Sequence, residues 1–120
     1  MQKVLGFGGF FFRAKDPTAL AEWYETHLGV LRVPTEAGQE AWVQEGGDTA
    51  FSPFAADTTY FGDAKYQFML NFRVADLAAM TEQLQNAGIT VEFEGDYESL
   101  GKFARLQDPE GNPIQLWQPG

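Results

Sequence analysis

The stretch Gly101–Pro119, GKFARLQDPEGNPIQLWQP, sets two apolar runs on either side of a polar turn. Asp108-Pro109-Glu110-Gly111-Asn112 is turn chemistry: Asp and Asn bond their own backbone, Pro presets φ, and Gly supplies positive φ. The flanking runs, Lys102–Gln107 and Pro113–Gln118, alternate as half-buried strands do. Together they predict an antiparallel hairpin at the end of the chain. In its second strand Ile114 and Leu116 alternate with Gln115 and Trp117. A lone amide centred in an apolar strand calls for partners, because a buried carboxamide left unpaired is costly.

The hairpin closes the second of two similar halves. Phe12-Arg13-Ala14-Lys15-Asp16 and Phe72-Arg73-Val74-Ala75-Asp76 lie 60 residues apart. Each motif ends on an Asp suited to cap a helix, and Pro17 stands at the first helical position of the first copy. The spacing predicts helices over about 17–28, with Leu20, Trp23, Tyr24 and Leu28 on one face, and about 77–87, with Leu77, Met80, Leu84 and Ala87. Gly29 and Gly88 follow as C-terminal caps. Strands are expected near 30–33, 40–44 and 49–53 in the first half, and near 90–94, 102–107 and 113–118 in the second. Each half thus reads β-α-β-β-β. The division is module one at about 1–54, a connection at 55–65 long enough to form a lid or rim, and module two at about 66–120.

The 120 residues suit a single domain, and 44% hydrophobic content with 15% aromatics can fill a core. The absence of cysteine excludes disulfides, thiolate metal sites and cysteine nucleophiles. A net charge of −9, with no Lys/Arg cluster, argues against a nucleic-acid partner. No secretory leader or run of the roughly 20 apolar residues needed for a membrane span is seen, so a soluble, cytoplasmic protein without a membrane partner is expected.

The segments FRAKDPTALAEWYETHLGV and GKFARLQDPEGNPIQLWQP, with the duplication, resemble the vicinal oxygen chelate superfamily of glyoxalases, extradiol dioxygenases and bleomycin-resistance proteins. The resemblance spans nearly the whole chain. It implies an α+β fold in which two βαβββ modules form a curved mixed sheet, or half-barrel, with helices outside, usually as a homodimer. In metal-dependent members four side chains, from the first and last strand of each module, hold a divalent ion that the substrate chelates. Counted from Asp16 and Asp76, those positions fall here on Gly9, Ala50 (Phe51 if the register slips by one), Met69 and Gln115. One neutral amide cannot hold a divalent ion. The single histidine, His27, belongs to the last turn of the first helix, outside the cavity. No metal and no cofactor are therefore expected.

The same positions set the inward parity of each strand. Phe11, Arg13, Met69, Asn71, Arg73, Gln115 and Trp117 should face the cavity, joined by Trp42 and Gln44 in one hairpin and Phe103 and Arg105 in the other. Phe10, Phe12, Phe68, Leu70, Phe72, Ile114 and Leu116 should pack toward the helices. The inward set carries no carboxylate or histidine, and the acidic run Glu92–Glu98 reads as a solvated edge strand. The expectation is a metal-independent protein binding an apolar or aromatic small molecule in a dimer cleft, through Phe11, Arg13, Trp42, Met69, Asn71, Arg73, Phe103, Arg105, Gln115 and Trp117. The inward arginines disfavour a cationic ligand. Two alternatives stay open. One is a metal-dependent lyase, isomerase or dioxygenase with a ligand from an unforeseen place such as Glu45, Asp48 or Glu94. The other is an interaction module whose pocket is closed by bulky residues such as Met69.

Overall fold

The computed structural model describes residues 1–120. Its elements are α1 (Pro17–Leu28), β1 (Leu70–Arg73), α2 (Leu77–Asn86), β2 (Glu92–Asp96), β3 (Gly101–Gln107) and β4 (Pro113–Pro119). The strands form one open sheet in the order β1-β4-β3-β2, parallel between β1 and β4 and antiparallel elsewhere. This is an α+β fold.

Both helices begin and end as the repeated motif dictates. Asp16 accepts from the Ala19 N–H at 3.1 Å, and Asp76 accepts from the Ala79 N–H at 3.0 Å. Each aspartate thereby satisfies a donor that the first helical turn leaves without a partner. Gly29 closes α1 at φ 70°, donating to Glu25 while Val30 donates to Tyr24. At the end of α2 Ala87 is the cap and Gly88 takes the left-handed φ of 82°.

The terminal turn is built around one carboxylate. Asp108 Oδ1 accepts from the N–H groups of Glu110 (2.9 Å) and Asn112 (3.0 Å), and Oδ2 accepts from the Asn112 amide (2.8 Å) and the Tyr24 hydroxyl (2.7 Å). Glu110 reaches the other way and accepts from the backbone N–H groups of Lys15 and Asp16. The turn that closes module two thus anchors the helix of module one.

The core lies between α1, α2 and one face of the sheet: Leu20, Tyr24, Leu77, Leu84, Ala104, Leu106, Ile114 and Leu116. Ile114 and Leu116 are fully buried, as the alternation of β4 predicts. Each large apolar side chain removed from water here contributes about 1.5–3 kcal/mol. No helix is long and apolar enough to cross a membrane.

Module one departs from expectation. Its helix forms, but no strand is present before Asp16 or in 30–33, 40–44 and 49–53. No backbone–backbone bond joins residues 1–15 or 40–54 to a strand, and the chain makes 44 such bonds in all. A compact chain of this length would make about 80. Alternation alone cannot produce a strand; a ladder partner must be at hand, and neither sheet edge in this chain receives these segments. The aromatic residues they carry are left open: Phe11 is 91%, Phe51 78% and Phe10 48% exposed. Phe10 and Phe12 consequently do not pack under a helix; they cluster with Phe68, with ring centroids 5.1–5.5 Å apart.

Candidate functional site

The sheet face opposite the helices gathers much of the set expected from alternation. Register places Asn71 beside Gln115 and Gln115 beside Arg105, with Arg73 beside Trp117 and Trp117 beside Phe103. Phe103 and Trp117 stack nearly parallel across the strands, with 6.2 Å between centroids and 4° between planes. Tyr97 meets Phe103 edge-on at 5.9 Å, which extends the aromatic row. The indole N–H of Trp117 donates to the Leu100 carbonyl at 2.7 Å. With its one donor used, Trp117 presents only ring surface.

Gln115 answers for its polarity within the chain. Its Oε1 accepts from the Asn71 amide at 2.7 Å. Its Nε2 donates to the Tyr60 hydroxyl oxygen at 2.9 Å and lies 3.4 Å from a Glu94 oxygen. The Tyr60 hydroxyl in turn donates to the Glu94 carboxylate, whose oxygens stand at 2.9 and 3.1 Å. The Arg105 guanidinium sits 4.9 Å from the Tyr60 ring centroid, and Phe54 stacks on Tyr60 at 5.9 Å and 16°. Burial, followed by the hydrogen bond and charge of Glu94, raises the Tyr60 pKa above the usual phenol value. The phenol is therefore a neutral donor to a carboxylate acceptor.

Two of these residues lie outside the expected ligand-binding set, although Glu94 is a possible donor in the metal-dependent alternative. Tyr60 belongs to the 55–65 connection, which folds over the sheet as a rim, and no motif marks it. Glu94 corrects the expectation that the inward face holds no carboxylate. Glu92 pairs with Arg105, alternation brings Glu94 to the same face, and a bulge between Phe93 and Gly95 leaves Glu94 as the extra residue. The acidic run is an edge strand, as expected, but Glu94 is not merely solvated. Its alternation with Arg105 and Gln115 was the available signal.

The other expected residues are engaged elsewhere. Arg73 donates to the carbonyls of Glu45 (2.7 Å) and Asp48 (3.1 Å), so it clamps the Glu45–Asp48 turn. Trp42 leans on Phe72, 6.5 Å between centroids, which belongs to the helix-facing parity of β1. Phe11 and Arg13 are exposed on the unpaired first segment, and Met69 is half-buried just before β1. His27 packs at a tilt against Trp23 in the last turn of α1. A groove of about 410 Å³ runs beside α1 between Trp23, Ile89 and Pro109; of the expected residues it touches only Arg105.

Of the expected ligand positions Gly9, Ala50 or Phe51, Met69 and Gln115, only Gln115 carries a side-chain oxygen donor, and no three His, Asp or Glu side chains converge. The Gln115 oxygen is committed to Asn71 and the Glu94 carboxylate to Tyr60. This donor set does not fit a divalent ion, which needs several oxygen or nitrogen ligands.

Comparison with known proteins agrees with the fold. The model of the glyoxalase-like domain matches residues 9–117. The chain belongs to that family, within the vicinal oxygen chelate superfamily. Among solved structures it is similar to TnmS3, an antibiotic-binding protein from Streptomyces sp. CB03234 (22% identity, all of both chains, TM-score 0.65). It is also similar to virulence protein STM3117 from Salmonella typhimurium (20% identity, 93% of this chain and 100% of that one, TM-score 0.56). The bleomycin resistance determinant encoded on transposon Tn5 is a third (23%, 88% and 91%, 0.52). No curated protein matches the chain by sequence.

Proposed function

We propose that this is a metal-independent small-molecule-binding protein that takes a planar apolar or aromatic ligand in a cleft completed by a second copy of the chain. The observation that carries the reading is the parallel Phe103–Trp117 pair, whose only polar hydrogen is internally bonded, beside the amide of Gln115. Such a surface attracts a flat guest by stacking and burial, and the neighbouring amide and carboxylate orient it. The antibiotic-binding and bleomycin-resistance roles of two structural relatives support the same class of activity.

The second copy is supported by what the chain leaves bare. Its accessible surface is 9167 Å², against roughly 6,500 Å² for a compact monomer of this mass. Its radius of gyration is 15.3 Å, where about 13.6 Å is usual. The excess, roughly 2,700 Å² per chain or about 5,400 Å² for two, falls at the upper end of what obligate interfaces bury. The unpaired segments of module one and the free edge of β1 are the matching surfaces.

The test is calorimetry with 2-methoxynaphthalene, an uncharged flat probe, in the presence of EDTA. Saturable binding that Trp117→Ala weakens is expected; no binding, or binding that EDTA abolishes, defeats the reading. A second reading, a metal-dependent enzyme, draws on Glu94 beside Gln115. Stoichiometric nickel, zinc, iron or manganese in protein purified without chelators would favour it.

A further inference from the structure

Tyr60 ties the 55–65 connection to the sheet. Its phenol is bound as a ligand would be. The hydroxyl donates to Glu94 and accepts from Gln115, and the ring packs against both the Arg105 cation and the Phe54 ring. Gln115 is held in the matching orientation by Asn71, which fixes its oxygen away from Tyr60 and its NH₂ toward it. Every polar atom around the hydroxyl is thus arranged for one group: a hydroxyl on an aromatic ring.

The segment that carries this phenol is weakly held. Around Tyr60 the backbone is bonded only within its own turns: Thr58 to Ala55, Tyr60 to the Thr58 hydroxyl, and Gly62 to Thr59. No ladder bond joins it to the sheet, and Tyr60 is half-buried. Segments with few buried contacts and only local hydrogen bonds open at small free-energy cost. Glu94, Gln115 and Arg105 are by contrast mounted on paired strands.

We infer that Glu94, Gln115 and Arg105 form an aryl-hydroxyl subsite, occupied in the free protein by Tyr60, and that a ligand bearing a phenolic hydroxyl displaces Tyr60 to bind there. This deepens the small-molecule reading and rests on it. Displacement by a hydroxyaryl guest exchanges one set of hydrogen bonds for an equal set and leaves nothing unpaired. An aromatic guest without a hydroxyl would strand the Glu94 carboxylate and the Gln115 NH₂, and stranded groups of this kind carry a desolvation penalty. The subsite therefore selects for the hydroxyl, while the Phe103–Trp117 row accepts flat rings in general. The raised pKa of Tyr60 agrees with a subsite that holds the neutral phenol.

The experiment compares 2-naphthol with 2-methoxynaphthalene by calorimetry in EDTA. It also follows the protein labelled with 3-fluorotyrosine, in which the Tyr60 fluorine signal among four tyrosines is assigned by Tyr60→Phe. We expect 2-naphthol to bind about tenfold more tightly, a preference of the size of one charge-assisted hydrogen bond. The Tyr60 signal should move toward its solvent-exposed position as 2-naphthol saturates. Tyr60→Phe, which removes the competing hydroxyl, should tighten 2-naphthol several-fold, and Glu94→Leu should erase the preference between the two probes. Equal affinities for the two probes, or an unmoved Tyr60 signal at saturation, would overturn the subsite while leaving the small-molecule reading intact. Failure of both probes to bind would overturn both.

Discussion

The Tyr24 hydroxyl donates to the buried Asp108 carboxylate at 2.7 Å, joining two residues 84 positions apart. Through this bond the face of α1 is fastened to the turn that ends the β3–β4 hairpin, so the helix of one module depends on the turn of the other. Tyr24→Phe keeps the ring packing and removes only that donor. Asp108 retains its three donors from Glu110 and Asn112. A loss of about 1.5–3 kcal/mol is expected, as for other bonds to charged groups. Urea denaturation should show it as a lower midpoint at unchanged slope.

The same bond makes stability sensitive to alkali. Burial first, and then the Asp108 hydrogen bond and charge, raise the Tyr24 pKa well above its ordinary value of 10.0. Below pH 10 both folded and unfolded states hold the phenol proton, so the full contribution is present. Above it the unfolded chain releases the proton while the folded one retains it, and stability falls as pH rises. Denaturation midpoints measured from pH 9 upward should decline more steeply in the wild type than in Tyr24→Phe. Parallel decline in the two proteins would contradict the assignment.

Gly101 opens β3 at φ +112°, and a Cβ there would run into the backbone of Gln118, Pro119 and Gly120. Backbone cannot step aside as a side-chain end can. Gly101→Ala should therefore destabilise by more than about 1 kcal/mol. Gly8→Ala, where a Cβ meets nothing within 4 Å, should leave the thermal midpoint unchanged.

If two chains share their strands, the 13.4 kDa polypeptide should sediment as a dimer at micromolar concentration. Its unfolding midpoint should then rise with protein concentration, because association stabilises by mass action. Phe51→Asp, which places a charge on the bare apolar surface of module one, should shift the equilibrium toward monomer. A concentration-independent monomer would remove the second copy from the proposal.

Trp117→Phe should keep most of the affinity for 2-methoxynaphthalene, and Trp117→Ala should lose up to about tenfold, the range of a single aromatic pair beyond its area. Titrations of both variants in EDTA provide the comparison. Equal losses would mean that the ring at this position is not what the probe touches.

Both helices, their caps, the hairpin and the split of β4 into buried Ile114 and Leu116 against half-buried Gln115 and Trp117 were legible in the sequence. These features are local. An aspartate caps the helix that starts beside it, a DPEGN turn folds on its own side chains, and strand alternation assigns faces without reference to the rest of the chain. Membership of the glyoxalase-like family was readable for the same reason, since its markers are these local elements repeated at a spacing of 60 residues.

Pairing across distance was not legible. That module one's alternating segments lack ladder partners within this chain depends on which edges lie nearby, and no periodicity carries that information. The meeting of Tyr60 with Glu94, 34 residues apart, depends on the path of a connection without secondary structure and on a bulge that displaces one strand residue. Arg73, expected from strand parity to be a ligand contact, was claimed by the Glu45 and Asp48 carbonyls, 25 to 28 residues away. Short-range chemistry is written in neighbouring residues; which distant groups satisfy one another is settled when the chain packs.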